Sequence, residues 1–77
     1  MKAKLKQFFD TDFHYVEVGL KNEPDRVYRR SEIISNALQR ALGALEVAQI
    51  CGLDFETCEM MYEEYKDRLE SARSEMR

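Results

Sequence analysis

Two apolar ladders on either side of a single glycine constrain this chain more than anything else in it. The first runs Val27, Ser31, Ile34, Leu38, Ala41, Leu45, Ala48, and the second Phe55, Cys58, Tyr62, Tyr65, Leu69, Ala72, Met76. Both advance by threes and fours, the spacing that keeps one face of a helix apolar. Between them lies Cys51-Gly52-Leu53-Asp54. Gly52 suits the left-handed position just past a helix end, and Leu53 can fold back on the preceding turn. Asp54 is a favoured N-cap for a helix beginning at Phe55. The expected fold is mainly α: an antiparallel two-helix hairpin, with a long helix over 23–51 and a second over 54–76.

The long helix has an entry signal at Asn22-Glu23-Pro24-Asp25. Proline is favoured in a first turn, and an acidic residue suits the positive helix end. Ser31 is a second potential cap, so a break near residue 31 stays open. Gly43 falls mid-helix at a cost of about 1 kcal/mol relative to alanine. It reads either as a tolerated small residue or as a point of close backbone approach.

The two ladders differ in width. On the second helix the apolar positions span an arc of about 120°, which one partner covers. On the first they span about 180°, from Ile33 round to Leu42, which one partner cannot cover. The excess must meet the N-terminal segment, a second copy or another protein. Ile33, Ala37, Leu42 and Ala44 are the candidate interface residues on this face.

Upstream, residues 1–22 read as an arm. Residues 2–9 are a short basic-apolar stretch. Residues 12–20 are aromatic and β-branched, which predicts a strand or extended arm and leaves a small α+β fold open. Alternation sets Phe13, Tyr15 and Glu17 opposite His14, Val16 and Val18. A lone strand leaves backbone groups unpaired. It therefore needs residues 2–9, a second copy or another protein beside it, and Phe13 and Tyr15 join the candidate interface.

At 77 residues the chain holds one domain, burying about 60–65% of its unfolded surface. A substrate pocket would compete with so thin a core, and oligomerisation is a common remedy. The single histidine, His14, has no partners at catalytic or metal-ligating spacing, and no glycine-rich phosphate loop exists. No enzyme, cofactor, metal or small-molecule ligand is expected. Cys51 and Cys58 read as two small buried thiols of a reducing, cytoplasmic protein, with a disulfide across the turn as the alternative. The longest apolar run, Ala41 to Leu45, is far short of a membrane span.

Net charge is −3, unevenly spread: residues 1–30 carry +2, 31–53 carry −1 and 54–77 carry −4. Arg26, Arg29 and Arg30 form a basic cluster, a candidate set of charged contacts. In a hairpin they would lie beside the acidic far end of the last helix, near Asp67, Glu70 and Glu75. Met60 is the one apolar residue pointing away from the second ladder and completes the candidate interface.

Residues 47–61, with Ala48 before the turn, Gly52 in it, Leu53 after it and Cys58 and Met61 beyond, resemble the DNA-binding helix-turn-helix of bacterial regulators. The resemblance implies Phe55, Glu56, Glu59, Met60 and Glu63 as groove-facing residues. Three of these are carboxylates, and DNA affinity comes mostly from Lys/Arg neutralising phosphates. The order strand, helix, glycine turn, helix is also similar to the ribbon-helix-helix family, with a first helix about twice as long and no Arg or Lys in the strand. The acidic second helix disfavours nucleic acid. The function expected is a non-enzymatic protein-interaction module, dimerising through the wide face of its first helix. A small transcription regulator is the alternative.

Overall fold

The computed structural model describes residues 2–22 and 27–75. It contains three helices: α1 over Lys2–Asn22, α2 over Val27–Ile50 and α3 over Phe55–Glu75. The bundle measures 41 × 17 × 16 Å. A helix of 21–24 residues is about 32–36 Å long, so all three run along the long axis. The mainly α expectation holds, but as three helices rather than two. The expected helix entry at Glu23-Pro24-Asp25, together with Arg26 and Met76, lies outside the described residues, as does the side chain of Val27.

The strand expected over 12–20 is helix, and no strand occurs among the described residues. The reason is burial. Leu5, Phe9, Val16 and Leu20 are the buried residues of α1, with Phe13 packed against the core beside them. Their steps of four, four, three and four follow the helical period, not the strand period. Burying each such side chain contributes about 1.5–3 kcal/mol, more than the spread of β-propensity in a sheet, about 1 kcal/mol. Phe13 and Val16, placed on opposite faces by the strand expectation, share the buried side of a helix. Tyr15 and Val18 face outward.

α2 is the central element and supplies the small side chains. Ala37 and Ala41 are fully buried and Ala48 nearly so. The bulk comes from its neighbours: Leu5, Phe9 and Leu20 on α1, Tyr65 and Leu69 on α3. Small against large gives the interdigitation that close packing requires. α1 therefore packs on one flank of the wide apolar arc of α2 and α3 on the other, leaving Leu42 at its edge exposed. Gly19 of α1 lies against Ile33, whose Cδ1 is 3.5 Å from where a Cβ on that glycine would sit. The helix runs unbroken through Ser31.

The turn between α2 and α3 closes as a Schellman motif. Leu53 N–H donates to Ala48 O and Gly52 N–H to Gln49 O, both at 3.0 Å. Gly52 has φ +106°, left-handed backbone that a Cβ would strain. Leu53 then packs onto the core. Asp54 caps α3: its Oδ2 accepts from Thr57 N–H at 3.0 Å and its Oδ1 from the Thr57 hydroxyl at 2.7 Å. The hydroxyl bond and then the amide bond hold its carboxyl below the usual carboxylate range.

Candidate interaction surface

One polar cluster ties the three helices together. Asp12 of α1 accepts from Arg40 of α2 through Nε at 2.9 Å and a terminal nitrogen at 3.3 Å. Tyr65 of α3 donates its hydroxyl to the same carboxylate. Burial, reinforced by that carboxylate, pushes the Tyr65 phenol well above its ordinary range. Phe9 stacks on the Tyr65 ring at 4.8 Å. Arg68 lies 4.2 Å over the Phe13 ring and pairs with Asp10 at 2.8 Å. These contacts fix the rotation and height of α1 on the other helices. The members of the cluster are engaged with one another across the three helices, which makes it part of the architecture.

The second feature is open. A groove of about 400 Å³ runs between α2 and α3. Leu45 and Cys58 are buried at its base, Tyr62 is half-buried, and Leu42 and Phe55 flank it at 49% and 66% exposure. Glu46 and Gln49 of α2 and Glu59 and Glu63 of α3 form its rim, all exposed. Two further grooves lie beside α1; the one shared with α2 is more polar, and the one shared with α3 is as apolar as this groove but is lined by side chains of both charges. That with α2 is lined by Tyr15, Arg29, Ile33, Asn36 and Arg40, and that with α3 by Lys2, Lys6, Asp10, Met60, Glu64 and Arg68 among others.

The expected interface residues separate. Ala37 is sealed inside the chain, and Ile33 and Ala44 are partly covered by packing against the core. The covering element at Ile33 is α1, through Gly19. Leu42 alone of that set is a free apolar surface. Phe13 is held in the core beneath Arg68, whereas Tyr15 and Met60 are exposed on different sides of α1. Phe55, expected to lie in the second ladder, faces outward instead because it opens the helix beside the turn; the buried ladder starts at Cys58.

The arginines divide as well. Arg30 is buried and donates to the Arg73 carbonyl oxygen at 2.6 Å. It reaches the far end of α3 as expected, where its partner among the described residues is a carbonyl of the last turn; the side chain of Glu75 lies outside them. That placement also suits the negative helix end. Arg29 forms an exposed pair with Glu32 at 3.3 Å. The two cysteines differ: Cys58 is buried, but Cys51 is exposed, and both are free thiols.

The residues missed from sequence were Asp12, Arg40 and Arg68; Tyr65 was expected in the buried ladder, and only its hydroxyl's role was missed. The signal for Asp12 existed once 2–22 is drawn as a helix. It then falls between Leu5, Phe9 and Val16, and a carboxylate there demands partners.

The turn at Gly52 joins two helices that lie side by side. A helix-turn-helix joins them at about 90–120°. A helix of 21 residues, about 32 Å, cannot lie across a bundle 17 Å wide. The outer face of α3 carries Glu56, Glu59, Glu63, Glu64, Asp67 and Glu70, all exposed. Among the described residues no helix is long and apolar enough to cross a membrane. No protein-family model, curated protein or solved structure matches this chain.

Proposed function

We propose that this chain is a non-enzymatic protein-interaction module whose binding face is the α2–α3 groove. One observation carries this: Leu42 and Phe55 stand exposed on either side of an apolar groove between α2 and α3 that α1 leaves uncovered. A large apolar pair over a buried floor resembles the anchor pockets at the centre of protein interfaces. The charged groups around it are carboxylates without a histidine, a poor set for acid–base or nucleophilic chemistry. His14 stands exposed on α1, the helix that does not line this groove.

Dimerisation through the wide face of α2 has less support, because α1 occupies one flank of that face. A heterologous partner fits better. A photo-crosslinking side chain at position 55, compared with one at Lys66 on the exposed surface of α3, tests this in cells. Adducts specific to position 55 are expected; equal labelling at both positions, or none, sinks the module. Light scattering on the purified chain is expected to give a monomer at micromolar concentration. A dimer broken by Leu42→Asp would assign the groove to a second copy instead.

A further inference from the structure

We infer that the α2–α3 groove receives a basic amphipathic helix from its partner. This rests on the module proposed above and names the chemistry of what it binds.

The length of the groove sets the kind of segment. On α2 its lining runs from Leu42 to Gln49, about 10 Å of helix, or two turns. An apolar stripe with anchors at i, i+3 or i+4, and i+7 covers the same distance. The principal alternative, strand addition, needs a sheet edge, and the described residues contain no sheet.

Charge sets the partner's sign. The charged side chains lining the groove are Glu46, Glu59 and Glu63, one from α2 and two from α3. All three are exposed and stand beside the apolar positions rather than beneath them. A helix seated on Leu42, Phe55 and Tyr62 takes water from these carboxylates. Lys or Arg flanking its apolar stripe restores the lost interaction; a neutral or acidic helix does not. A second copy docked groove to groove fails the same test, because an isologous contact brings the two carboxylate rims together. An anionic membrane surface meets the same repulsion.

The test uses the full chain and synthetic amphipathic helical peptides with leucine at the anchor spacing. Their polar positions are all lysine, all glutamine or all glutamate, and a scrambled leucine–lysine peptide serves as control. Binding is read by fluorescence anisotropy at low salt and mapped by NMR on the protein. The lysine peptide is expected to bind one to one, shifting the resonances of Leu42, Cys58 and Tyr62, about tenfold or more tightly than the glutamine peptide. The triple variant Glu46→Gln, Glu59→Gln, Glu63→Gln is expected to lose that preference, with its fold checked by circular dichroism. Equal affinity for the lysine and glutamine peptides overturns the inference and leaves the module standing. So does equal binding of the scrambled peptide, or shifts confined to α1. Failure of every peptide to enter the groove overturns both.

Discussion

The Tyr65 hydroxyl of α3 donates to the Asp12 carboxylate of α1 across 53 residues of sequence. Arg40 of α2 holds the same carboxylate from the other side, so one residue joins all three helices. Asp12 is nearly covered, with 11% of its side chain exposed, whereas Arg40 is about half exposed. The tyrosine bond is therefore the more costly one to break. Tyr65→Phe is expected to cost about 0.5–1.5 kcal/mol, the net value of one hydrogen bond. Asp12→Ala strands a buried phenol and is expected to cost about 1–3 kcal/mol. In urea unfolding, the double variant should cost less than the two singles together. Strict additivity would show that the bond contributes nothing.

The same phenol makes the fold sensitive to alkali. Its folded pKa lies above the unfolded value of 10.0. Above pH 10 the unfolded chain releases this proton and the folded chain keeps it, so stability falls as pH rises through that range. Thermal melts of the wild type and Tyr65→Phe should converge as pH rises above 10. Parallel loss in both would place the alkaline sensitivity elsewhere.

Two glycines on α2 and its turn should respond oppositely to alanine. Gly52 sits at φ +106°, and Gly52→Ala is expected to destabilise by about 1–2 kcal/mol. A Cβ at Gly43 meets nothing within 4 Å. Gly43→Ala is expected to stabilise by up to about 1 kcal/mol through helix propensity alone. That also resolves the role of Gly43, which is a tolerated small residue rather than a contact point. Chemical denaturation of the two variants settles both signs.

Asp54 should govern part of the acid response. Its carboxyl is held below the ordinary 3.8 by the Thr57 hydroxyl and then the Thr57 amide. The charged cap stabilises the fold above the unfolded value and is lost as pH falls through the lower folded value. Asp54→Asn keeps a capping oxygen that does not titrate. Its acid titration should be shallower than the wild type's below pH 3.8. Superimposable curves would remove the cap from the acid transition.

Much of α2, the glycine turn and α3 was legible because long apolar ladders at helical spacing resist local accidents of propensity. Gly52 and Asp54 do as their positions demand. The N-terminal third was misread for a physical reason. Phe13, His14, Tyr15, Val16 and Val18 favour a strand locally, and only the longer run from Leu5 to Leu20 carries the helical period. The width of the α2 face correctly demanded a third covering element, with the N-terminal segment among the choices. What periodicity does not convey is which residue at a helix start stays exposed. Phe55, in register with the buried ladder, stands out in solvent, and the groove it borders is set by tertiary packing.

The exposed carboxylates of α3 lie three or four residues apart along one side, about 5–6 Å between neighbouring Cβ atoms. They repel one another even with no partner present, and the packed face of α3 holds the helix together against that repulsion. Dissolved ions, which shorten electrostatic reach to about 8 Å at physiological strength, therefore relax the isolated chain. They also weaken its hold on any cation laid across it. For the chain alone the same screening also weakens the exposed pairs Arg68–Asp10 and Arg29–Glu32, so salt acts on its fold in two opposing ways.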